Sequence, residues 1–317
     1  MRVATGLLKV LVPVAVLGVV LVRFGTDPFL DGVRTAALSS AALAAAAAAL
    51  LLTALSTLCA AWRWQVVSRE LGASIRLRDA VAAYYRSQLL NATLPFGIAG
   101  DVHRGVVHGR ETDDTVRGLR TVAWERLAGQ AVCAVVAAAV LVAAPSPLRE
   151  AAGSALGVTA VVLGVVLVAA LAVVALLPGH WRTILATDVR DVVRRPSRTV
   201  QVVVASVLAF CGHVAVLLVA VRLAAPEVSV TTVLPAALFV LLAASVPTSL
   251  AGWGPREGAA AWAFGAGGLS ASQGVEISVV YGLLALLATA PGVVVLLLDA
   301  RGRIRASTPQ LTGAADA

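Results

Sequence analysis

Apolar runs of membrane-spanning length dominate the sequence. A helix needs about 20 apolar residues to cross about 30 Å of hydrocarbon. Runs that supply such helices lie at 10–22, 36–61, 127–144, 154–177, 199–221 and 275–298. The first run is short, but it extends from Leu7 to Phe24 if Lys9 reaches the membrane surface with its long side chain. The sequence therefore predicts an all-α integral membrane protein.

The composition agrees with a membrane protein and argues against nucleic-acid binding. The chain is 59% hydrophobic and 13% charged, whereas soluble domains carry about 25% charged residues. Its net charge of +8 comes from arginines next to the apolar runs, where such residues mark cytoplasmic loops. Cys59, Cys133 and Cys211 fall in or beside predicted spans without metal-ligand spacing, so we expect them to pack as small apolar residues.

Arginine-rich segments assign the two sides of the membrane. Segments 62–78, 178–198 and 301–305 carry an excess of arginine and are predicted to be cytoplasmic. Segments 23–35 and 145–152 have balanced charges and are predicted to lie outside. The result is a multi-pass cell-membrane protein with both termini in the cytoplasm.

The segment 80–102 is predicted to enter the membrane and return to the same side. Two cytoplasmic segments need an even number of crossings between them, and 121–144 and 154–177 are both good spans. The segment 80–102 therefore turns at "LPFGIAG". Each arm would have about 8–10 residues, which covers about half of the membrane.

A second hairpin is predicted at 232–270. It lies between the spans 199–221 and 275–298, and parity favours entry from the outside with a break at "VPTSLAGWGPRE". A pair of full crossings also satisfies parity, and we favour the hairpin. Six spanning helices and two re-entrant hairpins then form two halves of opposite orientation, which is an inverted repeat of the kind found in transporters.

These predictions define a single polytopic membrane domain at 1–305. Its parts are a first half at about 36–144 with hairpin 80–102, a cytoplasmic connector at 178–198, a second half at about 199–298 with hairpin 232–270, and then a flexible polar tail at 306–317.

Both breaks are candidate binding sites. Non-helical backbone at membrane depth is tolerated only where it is packed in protein or lines a wet cavity, and half-helix N-termini suit anions. The candidate substrate-binding residues are Arg86, Asn91, Pro95, Gly97, Gly100, Asp101, Arg104, Glu125, Arg126, Pro247, Gly252, Gly254, Arg256 and Glu257.

Two arginines are expected to hold an anionic group, because the guanidinium fork matches phosphate. For Arg256 the alternative is a structural pair with Glu257, and for Arg86 it is a side chain that extends to the cytoplasmic surface. Asn91 and Ser87 suit either donation to a headgroup or satisfaction of the broken backbone.

The acidic candidates also have two interpretations each. Asp101 is expected to cap the returning half-helix and to balance Arg104, and the alternative is a proton or cation site. Glu125 and Arg126 form either an interfacial ion pair or part of the cavity lining. His213, in the middle of a predicted span, is expected to be a packing histidine rather than a proton relay.

Motifs of enzymes and cofactor sites are not found in the sequence. It contains no HExxH, GxSxG, P-loop or Rossmann glycine pattern. His103 and His108 are five residues apart, which does not place them on one helical face. We therefore expect no catalytic residues, no metal and no cofactor.

Three stretches carry a family resemblance. "RSQLLNATLPFGIAGDVHRG", "WERLAG" and "VPTSLAGWGPREGAAAWAF" resemble the membrane region of bacterial lysyl-phosphatidylglycerol synthase/flippases and the standalone flippase-like proteins of that family. The resemblance covers roughly residues 40–300. The turn "PFGIAGD" departs from it, because many relatives have a tighter Gly-Gly-Asp where this chain has Ala99.

The resemblance implies a lipid flippase. Its substrate would be an anionic, aminoacylated or glycosylated phospholipid, or a polyprenyl-phosphate-linked lipid made by a separate partner enzyme. Lysyl transfer is not expected, because the lysyl-transferring members carry a large soluble domain after the membrane region. The alternatives are an integral glycosyl- or aminoacyl-lipid transferase, which would use Asp101, Glu125 or Glu257, and a non-transporting membrane partner protein.

Overall fold

The structure is a computed structural model that describes residues 17–38, 41–94, 97–143, 179–245 and 253–307. Residues 17–24 are helical, and eleven further helices follow in the described residues. They are α1 (Asp27–Leu38), α2 (Ala42–Glu70), α3 (Leu77–Thr93), α4 (Ala99–Glu111), α5 (Thr115–Ala143), α6 (Gly179–Val193), α7 (Pro196–Ala224), α8 (Val230–Ala244), α9 (Pro255–Ala266), α10 (Ala271–Leu287) and α11 (Pro291–Ser307).

The helical membrane architecture predicted from the apolar runs is confirmed. Four helical segments of the described chain are long and apolar enough to cross a membrane: α2, α5, α7 and the continuous stretch from α10 into α11. They correspond to four of the six predicted spans. The span predicted at 154–177 and most of the one at 10–22 lie outside the described residues.

The centre of the protein is the pair α2 and α7, which pack along each other more extensively than any other described pair. Small residues permit this approach: Ala49 and Ala61 of α2 are fully buried, and a Cβ at Gly212 of α7 would overlap the hydroxyl of Ser56. Close packing of small residues is the usual way that membrane helices associate. The main apolar core then extends from α7 over α8, α9 and α10.

The order of the helices repeats once along the chain. A short helix, a long helix, two shorter helices around a break and a further helix occur as α1–α5 and again as α6–α10, and in the second half the last helix continues after a turn into α11. The packing is reciprocal too, because Thr35 of α1 donates to Glu276 of α10 while Arg120 and Trp124 of α5 donate to Asp188 of α6. Each leading helix thus contacts the last helix of the other half. The inverted orientation of the halves stays a prediction.

The two helix pairs α3–α4 and α8–α9 lie where the hairpins were predicted. Their breaks fall at 94–98 and 245–254, of which 95–96 and 246–252 lie outside the described residues. Gly97 and Gly254 have φ values of 61° and 111°, in the left-handed region that glycine adopts without strain. The arms α3 and α4 have 17 and 13 residues, longer than the predicted 8–10, because helical hydrogen bonding continues through their polar outer turns.

One predicted boundary is wrong. Residues 62–70, predicted as loop, continue α2, because the buried Arg63 has a partner in Glu125 and does not need water. The predicted span 275–298 matches the candidate span 271–299, within which a turn at 288–290 separates α10 from α11. Pro291 cannot donate a backbone hydrogen bond to α10, and it starts α11 at the position where proline is favoured.

Candidate functional site

Five charged side chains meet between α2, α4 and α5. Arg63 Nε donates to Glu125 at 2.8 Å, and its Nη2 donates to the same oxygen. Arg104 Nη2 lies 3.0 Å from Glu125 Oε2 and 3.1 Å from Asp101 Oδ1, and Arg126 Nη2 lies 2.8 Å from the Asp101 carboxylate. The predicted pair of Glu125 with Arg126 is therefore wrong: each of the two residues pairs with a partner on another helix.

Arg104 is the most enclosed member of this network. Its side chain is fully buried, and its guanidinium carbon lies 4.5 Å from the ring centre of Trp64 and 4.0 Å from that of Tyr84. Aromatic faces attract a cation and hold its plane. Among the described residues, Nε and Nη1 of Arg104 have no hydrogen-bond partner. Buried donors of a charged group are costly to leave unpaired, so Arg104 is suited to an acceptor from outside the protein.

Asp101 joins the network to the α3–α4 break. It accepts from Ser87 Oγ at 3.0 Å and from Asn91 Nδ2 at 3.1 Å. The prediction that Asp101 caps α4 is wrong, because Asp101 is the third residue of that helix. The start of α4 is held by Asn91 instead, whose Oδ1 accepts from the Gly100 N–H at 2.8 Å. Asn91 thus satisfies broken backbone, one of its two expected roles. A Cβ at Gly100 would overlap the Ser87 carbonyl, so the two arms touch at this point.

The network carries an excess positive charge. Arginine stays protonated in proteins, so its three guanidinium groups outnumber the two carboxylates by one. Arg63 and Arg104 are buried, whereas the Arg126 side chain is 42% exposed, so water screens part of this excess. Together with the unpaired donors of Arg104, the excess favours an anion as the missing partner.

A cavity of about 430 Å³ extends from Arg104, within the usual size range of small-molecule sites. Helices α3, α4 and α11 and the segment 74–76 form its walls, and Arg86, Asp299 and His108 line it. Arg86 pairs with Asp299 rather than extending alone to a surface. His108 Nε2 lies 3.0 Å from the Ala73 carbonyl oxygen, and burial lowers the pKa of this histidine.

A second buried arginine lies at the other break. Arg256 donates through Nε to Glu257 and to Ser278, each at 3.0 Å, and its guanidinium carbon lies 5.2 Å from the Trp253 ring centre and 5.4 Å from that of Tyr281. The pair with Glu257, the structural alternative for Arg256, is thus present. Glu257 also accepts from the Gly254 N–H at 2.6 Å.

The two clusters share their chemistry. Asp101 and Glu257 are each the third residue of the helix after a break, and each accepts from a serine, Ser87 or Ser278, of another helix. Each carboxylate pairs with an arginine whose guanidinium carbon lies near the ring centres of a tryptophan and a tyrosine. A similar group of arginine, acid, serine and aromatic rings therefore occurs once in each half, but the pair of Arg256 and Glu257 is balanced in charge.

The structure brings most of the predicted site residues into these two clusters. The first contains Asn91, Gly100, Asp101, Arg104, Glu125 and Arg126, and the second contains Gly254, Arg256 and Glu257. Gly97 lies in the first break, and Arg86 lies on the wall of the cavity. Pro95, Pro247 and Gly252 lie outside the described residues.

Several residues of the clusters and of the cavity wall were missed from the sequence. Those of the clusters are Arg63, Trp64, Tyr84, Trp253, Ser278 and Tyr281, and Asp299 lies on the cavity wall. The run "WRW" at 62–64 carries the one usable signal, since two tryptophans flank an arginine at the end of an apolar run. An arginine at such a place also predicts the start of a loop, and here that prediction is wrong.

The chain matches a known protein family. A family model described as "Lysylphosphatidylglycerol synthase TM region" covers residues 6–292. No curated protein matches the chain, and no solved structure matches it.

Proposed function

The chain belongs to the lysylphosphatidylglycerol synthase TM-region family, and on that basis we propose that it translocates a lipid with an anionic headgroup between the two leaflets of the membrane. Family membership makes it a membrane protein linked to lipid modification or translocation. The choice of translocation, and of an anionic headgroup, comes from the chemistry of the two arginine clusters.

Arg104 is the observation that carries the proposal. It is a fully buried cation at the end of a cavity, and two of its nitrogens have no acceptor among the described residues. A phosphate offers several acceptor oxygens to a guanidinium group. Trp64 and Tyr84 fix the plane of the guanidinium, so its donors are already oriented before the headgroup arrives.

Asp101 would act as the internal counter-ion of this site. Its carboxylate interacts with both Arg104 and Arg126, and it is the group with which an entering phosphate competes. When the phosphate takes Arg104, Asp101 keeps Arg126, Ser87 and Asn91 as partners. Entry of the anion therefore leaves no buried carboxylate without a donor, which lowers the cost of binding.

The Arg256 cluster would serve the headgroup on the other side. Its arginine, acid, serine and aromatic rings repeat the chemistry of the first cluster. Rocking of two inverted halves would expose the clusters in turn, while the lipid tails stay in the bilayer. The arginines of 62–78 support a cytoplasmic opening of the Arg104 cavity. The driving force would be a gradient or mass action.

The test is translocation in proteoliposomes. Purified protein is reconstituted with phosphatidylglycerol that carries a fluorophore on one acyl chain, and dithionite reports the fraction of the fluorophore in the outer leaflet. We expect protein-dependent exchange of phosphatidylglycerol between leaflets. Arg104→Gln should abolish it, whereas Arg117→Gln, which removes a half-exposed arginine on α5, should not.

Two results would contradict the proposal. The first is that phosphatidylglycerol exchanges between leaflets at the same rate in vesicles with the wild-type protein, in vesicles with Arg104→Gln and in protein-free vesicles. The second is formation of a heavier lipid on addition of a nucleotide-sugar or aminoacyl donor without any exchange between leaflets, which would favour the transferase.

A further inference from the structure

The stretch from α10 to α11 has the length and apolar character of one span, but the helix is interrupted within it. Residues 271–299 form a continuous apolar segment, whereas α10 ends at Leu287 and α11 begins at Pro291. The turn between them is held by short-range bonds, such as Thr289 N–H to Leu286 O at 3.0 Å and Gly292 N–H to Thr289 O at 2.8 Å. The regular α-helical hydrogen bonding is thus interrupted between α10 and α11.

Helix α11 is attached to the protein mainly through α3. Its principal packing partner among the described helices is α3. The contact is close at Gly292, where a Cβ would overlap the Tyr85 carbonyl oxygen and would lie 3.0 Å from Leu89 Cβ. Val294 and Leu298 on α11 are more than half exposed, as residues that face lipid would be. Helix α11 therefore covers one side of α3 and carries exposed apolar residues.

One ion pair joins α11 to α3 at the cavity. Arg86 Nη1 donates to Asp299 Oδ2, and both residues line the cavity that reaches Arg104. Their side chains are 14% and 34% exposed, and Arg86 Nε has no partner among the described residues. The Asp299 carboxylate thus holds Arg86 through a single nitrogen, in an environment that water reaches. Asp299 is the more exposed partner, so water screens the pair mainly from its side.

We propose that α11 is a lateral gate of the Arg104 cavity and that the Arg86–Asp299 ion pair closes it. Movement of α11 about the turn at 288–290 opens the cavity sideways to the bilayer. A lipid headgroup then reaches Arg104 while its tails remain in hydrocarbon. Opening also frees Arg86, whose guanidinium becomes a first contact for the anionic headgroup. This inference rests on the proposed function for its purpose, but the movement of α11 is measurable without translocation.

The first experiment locks the gate. Arg86→Cys and Asp299→Cys are combined in a protein whose Cys59, Cys133 and Cys211 are replaced by serine, and a bis-methanethiosulfonate reagent joins the two introduced thiols. We expect the cross-link to abolish exchange of labelled phosphatidylglycerol and a reductant to restore it. The control is the same double-cysteine protein treated with a monofunctional methanethiosulfonate, which labels both thiols without joining them and should leave the exchange rate as it was before labelling. Exchange that continues in the fully cross-linked protein would overturn the proposal.

The second experiment measures opening directly. A bimane fluorophore is attached to Ala82→Cys, at a position on the cavity wall, and spin-labelled lipids that quench it report contact with the bilayer. Asp299→Asn should increase the quenched fraction by roughly two- to fivefold, the range for a partly exposed ion pair. The double variant Arg86→Asp with Asp299→Arg exchanges the two charges and should return the quenched fraction towards the wild-type value. Such a recovery would show that substitution at these positions does not unfold the protein.

The two readouts separate the gate from the proposed function. If bimane quenching in Asp299→Asn equals that of the wild type, and the charge-exchange variant shows that the protein folds, the gate is overturned whatever the transport result. Increased quenching without lipid exchange in any variant would support the gate and contradict translocation.

Discussion

Removal of the negative charge of Glu125 should destabilise the protein strongly. Glu125 is fully buried, and it accepts two bonds from Arg63 and one from Arg104. Glu125→Gln keeps the shape and one acceptor oxygen but raises the excess positive charge of the network from one to two. The substitution therefore leaves two buried guanidinium groups facing each other without their shared anion.

The size of the effect follows from the bonds that are lost and kept. Three bonds to a charged group, at about 1.5–3 kcal/mol each, would add to about 4.5–9 kcal/mol. Arg104 keeps Asp101 and Arg63 keeps Ser206, so the loss is smaller than that sum. We expect about 3–5 kcal/mol, the usual cost of breaking a buried pair on one side.

Unfolding by SDS titration in mixed micelles, followed by tryptophan fluorescence, measures this free energy. Asp79→Asn is the control, because its pair with Arg78 is largely exposed and should contribute less than about 1 kcal/mol. The double variant Arg63→Met with Glu125→Leu removes both charges and should recover most of the stability. A Glu125→Gln protein within about 1 kcal/mol of the wild type would refute the assignment of Glu125 as the shared anion of two buried arginines.

Three further predictions use the same unfolding measurement. Gly282→Ala places a Cβ against the guanidinium of Arg256 and should cost about 1–3 kcal/mol, whereas Gly265→Ala, whose nearest neighbour would be 3.5 Å away, should not destabilise. Burial lowers the pKa of His108, so the contribution of this neutral histidine to the free energy of unfolding is complete above about pH 6.5 and is lost as the pH falls through the lowered pKa. His108→Gln should remove this pH dependence of stability. Asp188→Asn weakens three accepted hydrogen bonds and should cost about 2–3 kcal/mol; an unchanged midpoint would show that α6 is not fixed to α5 through this carboxylate.

The positions of the two breaks could be predicted because glycine and proline have local consequences. Gly97 and Gly254 have positive φ, which other residues rarely adopt, and Pro255 starts α9. These constraints act within one or two residues, so a single sequence reveals them. The apolar runs were equally informative about α2, α5 and α7, because contact with lipid requires an apolar surface along the whole length of a span.

The arginine network could not be predicted in the same way. Arg63 lies 62 residues before Glu125 in the chain, and its charge by itself indicates a membrane surface rather than a buried pair. Only the packing of α2 against α5 brings the two residues together. Helix ends were mispredicted for the same reason: 62–70 looks polar, but its charge is neutralised by a residue that the local sequence does not contain.

The two breaks resemble each other only loosely by sequence, because each contains proline, glycine, an acid and an arginine at different spacings. In the first cluster the arginine follows its acid by three residues, as Asp101 and Arg104, and in the second Arg256 precedes Glu257 by one. Both spacings let a guanidinium reach the carboxylate at the third position of the helix, since that position faces the break in both cases. What the two halves share is therefore a carboxylate at a fixed distance from each break, with the arginine reaching it from either direction. The position of the acid relative to the start of α4 and α9 therefore relates the two clusters more specifically than their shared residue types do.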